Sequence, residues 1–159
     1  MTAIGEVDEA NSAIGVAIAA LEAGELAERL RSIQNEMFDL GADLATPFGT
    51  DFEEHALRIV ARQVERLEEE IDAMNASLAP LTSFILPGGS VAVALLHQAR
   101  CVVRRAERAA VALHETVPIN ADALAYLNRL SDHLFVAARH LAAVEGGDVL
   151  WQPGATRDS

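Results

Sequence analysis

Apolar residues recur at steps of three and four along most of this chain, the spacing that gathers them on one face of a helix. The cleanest run is Leu57, Val60, Val64, Leu67, Ile71, Met74 and Leu78, flanked by Arg62, Glu65, Arg66, Glu69 and Glu70. It lasts only about three heptads, so it predicts the core-facing stripe of a bundle helix rather than a separate coiled coil. Leu26, Leu30, Ile33, Met37, Leu40 and Leu44 predict a helix that stops before Thr46-Pro47. An earlier helix is expected from about Val7 to Glu22, ending near Gly24. Asp8, Glu9 and Asn11 lie in its opening turns, where acidic groups favour the helix dipole.

Pro80 breaks the pattern, and the stretch Phe84-Ile85-Leu86-Pro87-Gly88-Gly89-Ser90 reads as an extended apolar segment closed by a turn. Ser90 is placed to cap a fourth helix, whose core face is expected to carry Ala92, Leu95, Ala99, Val102, Ala106, Ala109 and Leu113. After Pro118, Asn120 or Asp122 opens a fifth helix that runs to about Val144 and stops at Gly146-Gly147. Five helices with short connections predict an all-α, up-and-down bundle. One domain over residues 3–150 and a flexible tail from Trp151 to Ser159 account for the whole chain.

Composition agrees with helices. Apolar residues make up 51% of the 159 residues and aromatics only 4%, so the core is Ala, Leu, Val and Ile. The single cysteine, Cys101, excludes an internal disulfide and a cysteine metal cluster, and its apolar surroundings predict a small buried filler. There is no lysine, which excludes a lysine Schiff base and a Lys-Ser/Thr phosphate loop. Phosphate chemistry would rest on arginine and backbone amides. A net charge of -12 argues against nucleic acid as a general partner. No run approaches membrane-spanning length and no signal segment opens the sequence, so a cytoplasmic setting is expected.

Charge changes the picture on the fourth helix. Arg100, Arg104, Arg105 and Arg108 fall within nine residues, with Glu107 among them. Arg100, Arg104 and Arg108 share one stripe, and stacked like charges cost roughly a few tenths of a kcal/mol per pair. Carboxylates from elsewhere or a bound polyanion would offset that cost. On the fifth helix Asn128, Asp132, Phe135 and Arg139 form a polar stripe opposite Leu127, Leu130, Leu134 and Leu141. Packed beside the fourth helix, Asn128 would approach the arginines and complete an anion pocket. No Asp or Glu stands three residues before a histidine, which argues against a di-iron site. His133 and His140 read as surface or partly satisfied histidines, and His55 as exposed. Ser131-Asp132-His133 is contiguous on one helix and cannot converge as a triad.

Four motifs stand in series: Val7-Asp8-Glu9-Ala10-Asn11-Ser12, Phe84-Ile85-Leu86-Pro87-Gly88-Gly89, Arg104-Arg105-Ala106-Glu107-Arg108 and Asn128-Arg129-Leu130-Ser131-Asp132-His133-Leu134-Phe135. Together they closely resemble the PduO-type ATP:cob(I)alamin adenosyltransferases, over residues 3–154. The resemblance implies a ferritin-like, cobalamin-adenosyltransferase-like five-helix bundle that assembles as a homotrimer with active sites between subunits. It implies transfer of the 5′-deoxyadenosyl group of ATP to the cobalt of reduced corrinoid, releasing triphosphate, with ATP, Mg²⁺ and cobalamin as the ligands. Further partners would be a reductase and an adenosylcobalamin-dependent acceptor enzyme.

By the same resemblance, Arg104, Arg105, Ala106, Glu107 and Arg108 match the family's ATP-binding helix segment, and Asn128 its ATP-contacting asparagine. Arg104 would hold phosphate, and Glu107 would order the magnesium-nucleotide site or a neighbouring arginine. Asp8 and Arg100 match a pair that bridges adjacent subunits, and Phe84 the aromatic that keeps the lower axial base off cobalt. No resident protein-bound metal is expected. The family's opening Thr-x-x-Gly-Asp-x-Gly-x-Thr segment and the lysine after it, which wrap the ATP phosphates, have no counterpart in this sequence. Residues missing from the start are the expected reason, because every later motif is intact. The competing readings are a non-catalytic corrinoid-binding trimer, a truncated form without the phosphate-wrapping segment, and a plain helical interaction protein whose arginines meet acidic partner helices.

Overall fold

The computed structural model describes residues 1–157. Its five helices are α1 (Thr2–Ala19), α2 (Glu25–Ala45), α3 (Ala61–Asn75), α4 (Val91–His114) and α5 (Ala121–Val144), with a short 3-10 turn at Glu53–His55. Among the described residues the extended backbone makes a single isolated bridge, between Ile85 and Leu150. The chain alternates direction at each connection. α4 packs against α1 and α5, while α3 packs against α5 and α2 against α1. α5 is the hub, touching α4, α3 and α2.

Small residues permit that close packing. The buried stripe of α1 is Ala3, Val7, Ala10, Ile14 and Ala17, and that of α4 is Val93, Leu96, Ala99, Val103, Ala106 and Ala110. The α4 stripe is turned from the expected one, so Leu95, Val102, Ala109 and Leu113 sit on its shoulder, partly buried. A Cβ on Gly15 would lie 2.9 Å from the Gln34 amide nitrogen, so glycine there admits the α2 side chain. Gln34 donates to the Asn11 carbonyl at 3.2 Å, and Asn11 donates to the Gln34 carbonyl at 3.1 Å, clasping α1 to α2.

Helix ends follow the sequence where a cap is present. Ser90 Oγ accepts the Val93 N–H at 3.3 Å, and Asn120 Oδ1 accepts the Asp122 N–H at 3.0 Å. The boundaries of α1 differ from the expected Val7 to Glu22, because the buried stripe already begins at Ala3. α3 differs for a stronger reason. Buried Asp43 accepts from Arg58 at 2.7 Å and from the Ile59 N–H at 2.8 Å, and Asn120 donates to Asp43 and to the Ile59 carbonyl. Those bonds hold residues 58 and 59 out of any helix, so Leu57 and Val60 stay exposed, and only Leu67 and Met74 of the predicted seam are fully buried.

Three further expectations are corrected. Cys101 is exposed, because its position on α4 falls opposite Ala99 and Val103. His133 is completely buried rather than at the surface, and it is partly satisfied as expected: Nε2 donates to Glu70 at 2.7 Å and Nδ1 has no partner. Trp151, placed by the sequence in the tail, is bonded to residues 83 and 84. The tail residues 158 and 159 lie outside the described residues.

Candidate functional site

α4 and α5 place two kinds of surface side by side. The first is charged. Arg104 and Arg108 lie exposed on α4, one turn apart, and neither meets a carboxylate among the described residues. Glu107 projects beside them, and Asn128 of α5 donates to its carboxylate at 2.9 Å. The Asn128 side-chain Oδ1 in turn accepts from Arg129 at 2.7 Å, and Arg129 also pairs with Asp132 at 3.0 Å. These bonds set which end of the Asn128 amide faces which neighbour. The α4–α5 packing therefore brings Asn128 to Glu107, which stands between Arg104 and Arg108 in the sequence of α4.

Arg105 points elsewhere. It donates to Glu6 at 2.6 Å and also pairs with Glu9, both on α1. The hydrogen bonds to these two carboxylates hold its pKa raised, so it stays a fixed cation. Acidic residues from another element thus neutralise Arg105 and leave Arg104 and Arg108 without carboxylate partners. Ala106 is fully buried, so its side chain belongs to the α1–α4 packing and only its backbone lies near the arginines.

The second surface is an apolar cleft of about 560 Å³ lined by Leu81, Ser83, Phe84, His97, Arg100 and Phe135, among others. Phe84 stands at its mouth, 77% exposed, although it is a large aromatic. The Arg100 guanidinium lies 5.6 Å from the Phe135 ring centroid, with its buried Nε lacking a hydrogen-bond partner. His97 packs edge-on to Phe135 at 6.2 Å and is 2% exposed, with neither ring nitrogen hydrogen-bonded. Burial pushes its pKa down, the Arg100 charge pushes it further, and Asp148 opposes them only in part. His97 is therefore a neutral imidazole held against the cleft. The sequence offered no sign of this, since a lone histidine in an apolar run looks like any other.

Phe84 and Arg100 thus share one cleft, and Glu107 and Asn128 share one hydrogen bond. Asp8 lies apart from Arg100. It edges a different groove, of about 470 Å³, between α1 and α2, with Ile4, Val7, Met37 and Ala42 as apolar lining and Phe38 beside it. Among the described residues no cluster of three or more His, Cys, Asp and Glu gathers to hold a metal.

Comparison with known proteins places the chain in a family. The sequence profile described as cobalamin adenosyltransferase matches residues 1–141. The chain belongs to the cobalamin adenosyltransferase family. It is 49% identical over 160 residues to the corrinoid adenosyltransferase of Mycobacterium tuberculosis, covering 99% of this chain and 82% of that protein. It is 44% identical to the corrinoid adenosyltransferase of Bacillus subtilis, covering 95% of this chain and 79% of the relative. Among solved structures it resembles a variant PduO-type ATP:corrinoid adenosyltransferase from Lactobacillus reuteri complexed with cobalamin and ATP. That likeness has a TM-score of 0.85 at 40% identity, over 94% of this chain and 84% of the other. The five-helix cobalamin adenosyltransferase fold read from the sequence is the fold observed. No described helix is long and apolar enough to cross a membrane.

Proposed function

We propose that this chain transfers the 5′-deoxyadenosyl group of ATP to the cobalt of cob(I)alamin, giving adenosylcobalamin and triphosphate. The observation that carries the reading is the adjacency on α4 of two arginines without partners and a cleft that keeps a phenylalanine in water. Cob(I)alamin supplies the nucleophile as substrate. Its cobalt electron pair attacks C5′, the cobalt–carbon bond forms, and the C5′–oxygen bond breaks with its pair leaving on triphosphate. The protein's tasks are to orient ATP and to stabilise the departing charge.

Arg104 and Arg108 would meet the phosphates, as planar guanidinium groups suit that geometry. Asn128, with its amide already oriented, would read the nucleotide. Magnesium commonly takes one or two carboxylates and completes its shell with phosphate and water, and Glu107 provides one carboxylate at that place. It would screen triphosphate charge when bound. Arg100 and Phe84 would face the corrinoid, with Phe84 occupying the lower axial side of cobalt. Removing that axial donor makes Co(II) easier to reduce, which suits one-electron supply by a separate reductase. A cytoplasmic setting would provide ATP and that reductase, and an adenosylcobalamin-dependent enzyme would take the product.

Asp8 and Arg100 lie on different faces of one chain, so a salt bridge between them requires two subunits. A homotrimer with sites between subunits supplies that arrangement. The apolar α1–α2 groove and the 73% exposed Phe38 beside it support a subunit contact there.

The deciding experiment is adenosylation of chemically reduced cobalamin with Mg-ATP, followed by the absorbance change on cobalt alkylation. Turnover is the expected result. A spectral shift of bound Co(II)alamin with no turnover would favour the corrinoid-binding reading instead. Phe84→Ala should slow adenosylation while leaving ATP binding near normal, and equal loss of both would contradict its assigned role.

A further inference from the structure

Two segments that are not helical meet above the cleft. Residues 83–86 run antiparallel to residues 149–151 and form a short strap. The Trp151 N–H donates to the Phe84 carbonyl at 2.8 Å, and the Leu86 N–H donates to the Val149 carbonyl at 2.7 Å. Ser83 Oγ donates to the Trp151 carbonyl at 2.9 Å, and the Phe84 and Trp151 rings meet edge-on at 5.9 Å. The backbone of Phe84 is therefore fixed by residues beyond the end of α5.

One buried side chain ties both arms of this strap to the bundle. Arg139 of α5 is 9% exposed. It donates to the Asp148 carboxylate at 3.1 Å and to the Ala79 carbonyl at 2.9 Å. Asp148 begins the arm that carries Trp151, and Ala79 begins the arm that carries Phe84. Gly146 and Gly147, with φ of 110° and 103°, turn the chain out of α5 so that Asp148 can fold back onto Arg139. A buried charge costs several kcal/mol unless it is paired, so the guanidinium holds its two partners firmly. Both hydrogen bonds of the Arg139 guanidinium go to the strap's roots.

We propose that Arg139 is a positioning residue for Phe84: by pinning Asp148 and Ala79 together it fixes the strap that sets the phenylalanine over the cleft. The inference rests on the reading of Phe84 as the group that keeps an axial donor off cobalt. It predicts a split between two forms of the substrate. Cob(I)alamin has already lost its axial donors and needs no exclusion, whereas Co(II)alamin must lose its donor before a mild electron source can reduce it.

The experiment compares Arg139→Gln and the gentler Asp148→Asn with the unsubstituted chain. Each is assayed with Co(II)alamin and a reduced flavin as electron donor, and with cobalamin already reduced to Co(I). A misplaced group at a reaction centre costs up to about 100-fold, so turnover from Co(II)alamin should fall roughly 10- to 100-fold. Turnover from Co(I)alamin and the KM for Mg-ATP should stay close to the original. Arg139→Lys, which keeps the charge but offers a single donor nitrogen, should restore part of the loss. Equal losses with both cobalt states would mark Arg139 as a general structural residue and overturn the proposal, as would no loss with either. Trp151 is the only tryptophan, so its fluorescence anisotropy reports the strap directly. A fall is expected in both variants, and an unchanged value overturns the latch whatever the turnover. Phe84→Ala, run in parallel, separates the two ideas. If it splits the cobalt states and Arg139→Gln does not, only the latch fails. If Phe84→Ala shows no split, the reading of Phe84 fails and the latch falls with it.

Discussion

Between α2, α3 and α5, Arg66 meets Glu36 through two hydrogen bonds of 2.6 and 2.7 Å, and Tyr126 adds a third at 2.6 Å. Glu70 joins the same group through His133 at 2.7 Å and Arg66 at 3.2 Å. On the outer face of α4, Arg104 and Arg108 have no such partners. The residue types match, and the difference is in what has been satisfied. Burial and Glu36 together raise the pKa of Tyr126 well above its ordinary value, so it stays a neutral donor. Burial opposes ionisation of Glu70, yet the His133 hydrogen bond and charge, with Arg66, bring its pKa below the usual carboxylate range. The inner cluster therefore keeps its ion pairs within the fold, while the α4 face keeps arginine donors free for an anion. Charge that is already satisfied holds helices together, and charge left open is available to a ligand.

Removing one side of the inner cluster should have the largest effect. Arg66→Ala leaves Glu36 buried without its bidentate partner, and about 3 kcal/mol of stability should be lost, read as a lower urea midpoint. If the midpoint stays where it was, the inner cluster is no more structural than the α4 face. Arg104→Ala tests the opposite arm. It should raise the KM for Mg-ATP by roughly tenfold or more while shifting stability by less than about 0.5 kcal/mol. Loss of assembly with no change in nucleotide affinity would return Arg104 to a protein contact.

The smallest effect is a difference in pH response. The depressed pKa of His97 means that the unfolded chain takes up a proton before the folded one does. Stability should therefore begin to fall as pH drops below the ordinary histidine value of 6.5 and continue falling through the folded value. Glu70 behaves as a depressed acid, so its contribution persists above the ordinary value of 4.5 and is lost only further down. The pH slopes of stability for the unsubstituted chain and His97→Gln should differ below 6.5 and become parallel once His97 is protonated in the folded state too. Coincidence throughout would remove His97 as the source.

Much of this was legible in the sequence because it depended on local spacing. The five helices and the Ser90 cap follow from period and local chemistry, although the buried face of α4 is turned from the expected one and only part of the α3 seam is buried. Other features came from contacts between distant residues that no local pattern encodes. Asp43 straightens residues 58 and 59 from 15 positions away or more, and Glu70 reaches His133 across 63. Arg105 was matched by resemblance to the ATP-binding segment, but its five-residue offset from Arg100 turns it toward Glu6 and Glu9 of α1. Arg139 and Trp151 were each visible as residues, yet their roles depend on a bond network joining positions 79, 83, 84 and 148.

The strap also orders events during synthesis. Ser83 waits for a residue 68 positions further along the chain before its hydroxyl finds a partner. Chains emerge from the ribosome amino terminus first, at about 5–20 residues per second, so α4 and its arginines exist before Trp151 does. A nascent chain halted inside α5 would carry the arginines with Phe84 still untethered. Phe84 is therefore tethered only after α5 and the arm from Asp148 to Trp151 have been made.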